Sequence, residues 1–341
     1  MGIMANTLAE KLIIQAFDAV NSGGCVSFTF QGGEPTLAGL PFFRHFVETV
    51  SQHRPKRVQV HYAIQTNGIV LDDEWALFLK ENRFLVGLSI DGIRSVHDAL
   101  RVDASHLGTW RKVLQAKSLL EQYGIPYNAL CVVTSGCADK PEMVYKSLKN
   151  LGFRYMQFIA CLDPIGHPRG QEPWSLTPEC YGKFLCRIFD LWYQDWKAGN
   201  YHSIRLFDDY IHILIGDSAS TCASCGKCGA YLVVEADGSC YPCDFFVLDN
   251  WKIGSLDEMS VSEMMTHEKE MEFLAWGTEK PKECAVCSYS HLCNGGCKNE
   301  WFADDCGSHN YFCASFRALF LHALPRMEEI AKVERIARKR F

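Results

Sequence analysis

The sequence lacks the features of a membrane protein, an exported protein or a nucleic-acid binder. No apolar run approaches the ~20 residues that a membrane span requires. Residues Met1–Asn6 hold no basic stretch followed by an apolar one, so no secretory signal is predicted. The net charge of -6 argues against a protein that binds nucleic acid by releasing counterions. With 48% hydrophobic and 22% charged residues, the composition excludes a disordered chain.

Cysteine is the exception in this ordinary composition, because the 341-residue chain contains 17 of them. Without an export signal, we expect a reducing, cytoplasmic setting in which thiols serve metals or catalysis rather than disulfides. The cysteines from Cys25 to Cys186 are scattered, as small buried side chains are. The other 11 fall between Cys222 and Cys313, where metal ligation is the better interpretation.

Helical and strand-like patterns alternate along the N-terminal part of the chain. A helix with its apolar face over Leu8–Val20 precedes the first strand, Cys25–Phe30. Such alternation predicts βαβ units and a parallel sheet or barrel, with polar residues after each strand. Because the series opens with a helix, the fold is expected to begin one strand late. The later pairs are helices Pro41–His53, Asp72–Glu81, Thr109–Tyr123 and Lys140–Leu151 with strands Val58–Gln65, Phe84–Ile90, Tyr127–Thr134 and Tyr155–Ile159.

The pattern changes after a further helix, Pro178–Lys197, and the stretch Ile215-Gly216-Asp217. Short segments rich in Gly and Cys follow, without long periodic runs, until a last helix over Ala314–Arg338 that Pro325 is expected to kink. We therefore expect three parts, residues 1–216, 217–313 and 314–341.

The dense cysteines recur at short spacings, and no histidine stands among them at a zinc-finger spacing. Two four-cysteine zinc sites would stabilise a segment that is poor in core residues. Two iron–sulfur cubanes would use as many thiolates and add redox activity. The spacing alone does not separate these interpretations. The groups are Cys222-x2-Cys225-x2-Cys228, Cys240-x2-Cys243, Cys284-x2-Cys287, Cys293-x3-Cys297, Cys306 and Cys313.

Three segments resemble one known group of enzymes: Gln31-Gly32-Gly33-Glu34-Pro35, Tyr241-Pro242-Cys243-Asp244 and Cys293-Asn294-Gly295-Gly296-Cys297. With them the chain resembles a radical S-adenosylmethionine (SAM) enzyme with a C-terminal SPASM domain. It is most similar to the anaerobic sulfatase-maturating enzymes, over nearly the whole chain. The resemblance implies a partial (β/α)6 TIM-like barrel without its first strand, then a cysteine-rich SPASM iron–sulfur domain and a C-terminal helix.

The resemblance also implies two auxiliary [4Fe–4S] clusters, each ligated by four protein thiolates. Cys225, Cys240 and Cys306 would remain as free thiols nearby. Because the chain returns to the first cluster through Cys297, folding of the module should depend on iron. The ligands would be Cys222, Cys228, Cys243 and Cys297 for the first cluster, and Cys284, Cys287, Cys293 and Cys313 for the second.

A SAM site is implied at the Gly-Gly-Glu-Pro turn. Gly32 and Gly33 let the backbone approach a ligand closely, and the family holds the methionyl amino group there. Arg101 would offer a carboxylate a planar, charge-assisted fork. Two alternatives stay open, namely that Ser89 is an ordinary strand-end serine and that Arg101 is a surface charge. The full expected set is Gln31, Gly32, Gly33, Glu34, Ser89, Arg101 and Leu162.

Asp244 directly follows the expected ligand Cys243. Aspartate at such a place is often a cap or turn residue. The resemblance instead implies a general base, which removes the proton of a substrate thiol or hydroxyl while the β-carbon is oxidised.

The implied function is anaerobic sulfatase maturation, the SAM-dependent radical oxidation of a Cys or Ser in a sulfatase peptide to Cα-formylglycine. The implied partners are an unfolded or nascent sulfatase peptide and an electron donor such as flavodoxin or ferredoxin, with no nucleic acid and no membrane. Two alternatives remain: another SPASM peptide-modifying maturase, for example a crosslinking one, and a non-catalytic zinc-stabilised peptide-binding protein.

The family's defining Cys-x3-Cys-x2-Cys loop has no counterpart in this sequence. Cys293-x3-Cys297 is followed three positions later by Glu300. We therefore expect a chain short of its N-terminal segment, whose third [4Fe–4S] cluster belongs to the full-length protein. Without that motif, this chain is expected not to cleave SAM.

Overall fold

Six parallel strands form the central sheet, and their order in the sheet is their order along the chain. The computed structural model describes residues 2–304 and 307–338, so Cys306 lies outside the described residues. The predicted parallel α/β sheet is confirmed, and its first strand follows a helix as expected. The strands are β1 (Cys25–Phe30), β2 (Gln59–Thr66), β3 (Leu85–Ser89), β4 (Tyr127–Val133), β5 (Tyr155–Ala160) and β6 (Ser203–Ile204).

The longer helices lie close to where the apolar spacing predicts them. Helix Asn6–Asp18 buries Ala9, Ile13 and Phe17. The carboxylate of Asp72 accepts a hydrogen bond from the Trp75 N–H at 2.9 Å, which caps the start of its helix. The other helices longer than one turn are Leu40–His53, Asp73–Glu81, Arg94–Leu100, Trp110–Tyr123, Pro141–Asn150, Pro178–Lys197, Arg205–Ile215, Glu268–Trp276 and Cys313–Arg338.

Short elements dominate after Ile215, as the change of pattern predicts. Val233–Val234, Ser239–Tyr241 and Gly254–Ser255 form a three-stranded antiparallel sheet, and Trp301–Asp304 pairs with Gly307–Asn310. The last helix runs through Pro325. The remaining helical turns are Pro35–Ala38, Ser135–Ala138, Cys222–Cys225, Asp244–Phe246, Asp249–Trp251, Val261–Met264, Lys282–Val286, Ser290–Cys293 and Lys298–Glu300.

The chain folds into two compact units that do not coincide with consecutive sequence. The first contains the residues up to Ser89 with Arg111–Tyr127 and Gly229–Trp276. Its core includes Ala9, Ile13, Phe17, Phe28, Phe46, Val50 and Val58, so the two N-terminal helices pack on the face of β1.

The second unit contains Ile90–Trp110, Asn128–Cys228 and the residues from Gly277 onward. Here helix Cys313–Arg338 packs along helices Pro178–Lys197 and Arg205–Ile215.

The predicted domain boundary between residues 216 and 217 stays a prediction. Within the described ranges, no helix has both the length and the apolar character that a membrane crossing requires.

Candidate active site

The glycine turn, residues 31–34, follows β1 directly. Gly32 and Gly33 have φ angles of +84° and +53°, in the left-handed region that favours glycine. A Cβ built on either residue would meet no atom within 4 Å, and both residues are exposed. The surface of the turn is therefore open, and a polar ligand can approach it.

Glu34 fastens the glycine turn to the end of β2. Its carboxylate accepts hydrogen bonds from the Thr36 N–H and hydroxyl at 3.1 and 2.6 Å. It also accepts from the Thr66 hydroxyl and the Asn67 N–H, each at 2.7 Å. Three of these donors share Oε1, and the Asn67 N–H reaches Oε2. The structure thus gives Glu34 a role in shaping the turn, and its contact with a cofactor stays a prediction.

Glu34→Ala is expected to lower the free energy of unfolding by at least about 2 kcal/mol, since a hydrogen bond to a charged acceptor contributes roughly 1.5–3 kcal/mol. Urea unfolding measures the loss. Glu48→Ala is the matched control, because Glu48 is exposed and, among the described residues, accepts one hydrogen bond, from Gln52 at 3.3 Å. Equal stability of the two variants would contradict this role of Glu34.

Polar side chains stand at the carboxyl ends of the first three strands. Gln65 donates through Nε2 to Oε1 of Gln31 at 2.9 Å. Ser89, the last residue of β3, is half-buried, and within the part of the chain that the structure describes its hydroxyl makes no hydrogen bond. The Ser89 hydroxyl is therefore open to a ligand.

Arg101, in the second unit, forms an ion pair and is not an isolated surface charge. Its guanidinium donates to Asp91 through Nε at 2.5 Å and Nη2 at 3.3 Å. The Val132 N–H donates to the same carboxylate at 2.9 Å. The sequence alone does not point to Asp91, because Asp91-Gly92 resembles an ordinary turn after a strand.

Leu162 lies two residues beyond β5 and is half-buried. The loop that follows is held through Asp163, whose carboxylate accepts hydrogen bonds from the Gly170 N–H at 3.0 Å and from the Ser175 hydroxyl. Arg169 donates to the backbone carbonyl of Asp163. These bonds fix the backbone that presents Leu162.

Asp244, in the first unit, is exposed and hydrogen-bonded to Tyr231. The Tyr231 hydroxyl lies 2.9 Å from Oδ1 of Asp244 and 3.4 Å from Sγ of Cys243. Burial raises the pKa of the Cys243 thiol to about 11, so metal binding there must displace a proton. Tyr231 was missed in the sequence because only the fold brings it to Asp244.

The four cysteines expected to hold the second cluster line one cavity of about 240 Å³. Cys284 lies in the turn Lys282–Val286, and Cys287 directly follows that turn. Cys293 ends the helical turn Ser290–Cys293, and Cys313 begins the last helix. Burial raises the pKa of the Cys293 thiol to about 12. The structure therefore brings this expected ligand set together.

Three ligands expected for the first cluster lie on adjoining segments of the second unit. Turn Cys222–Cys225 packs against turn Ser290–Cys293. Nδ2 of Asn294 donates to the Ser224 carbonyl at 2.8 Å, which ties the segment of Cys222 and Cys228 to the segment that leads to Cys297. The fourth expected ligand, Cys243, belongs to the first unit.

Gly296 explains part of the Cys293–Cys297 motif. Its φ is +69°, and a Cβ there would lie 2.4 Å from Nδ2 of Asn310 and 2.5 Å from Oε2 of Glu300. Those two groups are themselves hydrogen-bonded at 2.7 Å. Only glycine fits this approach, so Gly296 fixes the backbone ahead of Cys297.

The cysteine geometry bears on the choice between zinc and an iron–sulfur cluster. In residues 2–304 and 307–338, no three His, Cys, Asp or Glu side chains converge so as to hold a single metal ion. Structural zinc gathers its thiolates about one point at roughly 2.3 Å. A cubane instead takes four thiolates around its own volume. The cavity that Cys284, Cys287, Cys293 and Cys313 share places four thiols around one volume, as a cubane requires.

Two protein-family models match the chain. The radical SAM superfamily matches residues 4–151, and an iron–sulfur cluster-binding domain, SPASM, matches residues 222–288. The cysteine-type anaerobic sulfatase-maturating enzyme of Clostridium perfringens is 41% identical over 332 residues, which cover 97% of this chain and 89% of the relative. The chain belongs to the anaerobic sulfatase-maturating enzyme family.

Comparison with other members of the anaerobic sulfatase-maturating enzyme family supports the same assignment. The serine-type enzyme of Bacteroides thetaiotaomicron is 32% identical over 97% of this chain and 83% of its own length. A solved structure described as native anSMEcpe with bound AdoMet and Cp18Cys peptide matches with a TM-score of 0.93, covering 97% of this chain and 92% of that one. The expected family and the radical SAM fold with a SPASM region are confirmed.

Proposed function

We propose that this chain serves the SAM-dependent radical oxidation of a Cys or Ser in an unfolded or nascent sulfatase peptide to Cα-formylglycine. The observation that carries the proposal is the relation, over 97% of the chain, to both cysteine-type and serine-type maturating enzymes. One relative with a TM-score of 0.93 was solved with AdoMet and a peptide, which supports SAM and a peptide as the ligands here.

The open glycine turn supports the SAM site. Peptide groups of Gly32 and Gly33 would receive the methionyl amino group, and Arg101 would receive the carboxylate. Gln31, Ser89 and Leu162 would complete the contacts. Glu34 would act mainly by holding the turn in the shape that the ligand needs.

Asp244 would be the general base of the oxidation. When bound, SAM supplies a radical that takes a hydrogen atom from the substrate β-carbon, and an auxiliary cluster supplies the acceptor for one electron. Asp244 would take the proton of the substrate thiol or hydroxyl. Loss of a hydrogen atom, a proton and an electron leaves a C=O bond from serine. From cysteine it leaves a C=S bond, which water converts to the aldehyde with release of hydrogen sulfide.

The auxiliary clusters would use the two cysteine sets expected from the resemblance. Cys284, Cys287, Cys293 and Cys313 would hold one, supported by the cavity that they share. Cys222, Cys228, Cys243 and Cys297 would hold the other. Full ligation by protein thiolates leaves no iron open to substrate, which suits electron transfer.

The absence of a Cys-x3-Cys-x2-Cys sequence limits what this chain can do by itself. We propose that this chain binds SAM and peptide without cleaving SAM. Turnover would need that motif with its third cluster, and an electron donor such as flavodoxin or ferredoxin in an anaerobic, cytoplasmic setting.

The test is anaerobic incubation of the iron-loaded chain with SAM, dithionite and a sulfatase peptide that carries either Cys or Ser. This chain by itself is expected to form neither 5′-deoxyadenosine nor formylglycine. The same chain preceded by a Cys-x3-Cys-x2-Cys segment is expected to form both. Mass spectrometry of the peptide decides: a crosslinked product would replace the proposed reaction by another maturase chemistry, and formylglycine from the unextended chain would disprove the need for the motif.

A further inference from the structure

Asp91 and Arg101 meet along one edge of the guanidinium group. The carboxylate receives Nε at 2.5 Å and Nη2 at 3.3 Å, which is the side-on arrangement of an arginine–carboxylate pair. The Asp91 side chain is 8% exposed and the Arg101 side chain 28% exposed. The pair therefore has a buried anionic end and a more open cationic end.

The outer edge of the guanidinium, formed by Nη1 and the remaining N–H of Nη2, stays available. Among the described residues, no hydrogen bond involves Nη1 of Arg101. A guanidinium has five N–H donors in a fixed plane, so a carboxylate on the inner edge still leaves room for a second one on the outer edge. Asp91 thus determines the direction in which the outer edge faces.

Asp91 is itself held from two directions. The Val132 N–H donates to Oδ1 of Asp91 at 2.9 Å, so the carboxylate is anchored to β4. The Asp91 N–H donates to Nδ1 of His97 at 3.2 Å, and burial lowers the pKa of His97 to about 4, so this ring is neutral at neutral pH.

The far side of the His97 ring reaches the backbone of Arg101. Nε2 of His97 lies 3.0 Å from the Thr109 hydroxyl, which donates to the Arg101 carbonyl at 3.1 Å. Both the backbone and the side chain of Arg101 are therefore fixed by the same small network.

We infer that Asp91 is a positioning residue that aims the outer edge of Arg101 at the carboxylate of SAM. The inference rests on the proposed function, which assigns that carboxylate to Arg101. A carboxylate beside the arginine lowers the net positive charge that a ligand meets. Asp91 therefore disfavours a ligand carboxylate by charge and favours it by orientation. The two effects have opposite signs, so a measurement can separate them.

The experiment is titration calorimetry of the unextended chain with SAM and with decarboxylated SAM, which keeps the amino group, the sulfonium and the adenosine. Asp91→Asn is expected to weaken SAM binding by about tenfold or more, as for a misaligned charge-assisted bond. Binding of decarboxylated SAM should change little. Asp98→Asn is the matched control. Asp98 also forms an ion pair with an arginine, Arg94, at 3.0 Å, and both residues lie on helix Arg94–Leu100.

Arg101→Gln should weaken SAM binding, and adding Asp91→Asn to it should cause no further loss. If the unchanged chain does not bind SAM, or Arg101→Gln binds it equally well, the proposed SAM site fails. If Arg101→Gln weakens binding and Asp91→Asn does not, or tightens it, the positioning role alone fails. Equal losses for both ligands would make Asp91 a general support of the fold and would also overturn the inference.

Discussion

Replacing Cys284 and Cys313 by serine will remove about four of the roughly eight iron atoms, with their sulfide, that the reconstituted chain is expected to hold. Both thiols line the cavity that the second cysteine set shares. Serine is a poor substitute for a thiolate, so two changes in one set of four should prevent that cluster from forming. The measurement is iron, sulfide and zinc per chain after anaerobic reconstitution.

Cys180→Ser with Cys225→Ser is the matched control, because these thiols lie in the same unit but outside both expected ligand sets. Sγ of Cys225 lies 3.2 Å from the Ala219 carbonyl, a bond that a serine hydroxyl can also make. Iron content should stay unchanged in this variant. Roughly two zinc ions per chain and no sulfide would instead favour structural zinc sites and remove the electron acceptor from the proposed reaction.

Loss of the cluster should also destabilise the segment around it. Among the described residues between Gly277 and Tyr311, Leu292 and Pro281 are the buried aliphatic side chains, and no aromatic one is buried. Val286 is 89% exposed. A segment with so little apolar burial depends on its metal for stability, and the binding free energy of the metal becomes folding free energy. The double serine variant should therefore become sensitive to proteolysis here, and the control should not.

The sequence predicts most of the sheet because each long element has a period of its own. Helix Pro178–Lys197 buries the aromatic face that its spacing indicates. The alternation pattern did not show β6, which has two residues, or helix Arg94–Leu100, which has seven. Segments this short give periodicity too few repeats to detect. Helix Arg205–Ile215 is also absent from the predicted elements, although its apolar spacing could have indicated it, since Phe207, Tyr210 and Ile211 share one face.

The candidate site is only partly visible in the sequence. The glycine turn is a local motif, and its left-handed glycines can be expected from the Gly-Gly pair alone. Asp91 and Tyr231 have no such motif, because their partners Arg101 and Asp244 lie 10 and 13 residues away and only the fold brings them together. Glu34 shows the reverse case, in which a residue expected at a cofactor is occupied by donors from its own fold.

Asp244→Asn is expected to lower the rate of formylglycine formation by about 10²–10⁴-fold, the usual contribution of a general base. The reaction would be followed in the chain preceded by a Cys-x3-Cys-x2-Cys segment. Asparagine keeps the size of the side chain and can still accept from Tyr231, so the turn Asp244–Phe246 should keep its shape. Formation of 5′-deoxyadenosine should continue, because the lost step is removal of the substrate proton and not cleavage of SAM.

Two controls separate this role from damage to the neighbouring cluster ligand. Iron content must match that of the unchanged chain, since Asp244 is adjacent to Cys243. Asp249→Asn alters another exposed aspartate five residues further on and should leave the rate unchanged. Tyr231→Phe should cause a smaller loss, because it removes one hydrogen bond to Asp244 and leaves the carboxylate itself in place. An unchanged rate in Asp244→Asn with intact iron would mean that another group takes the proton.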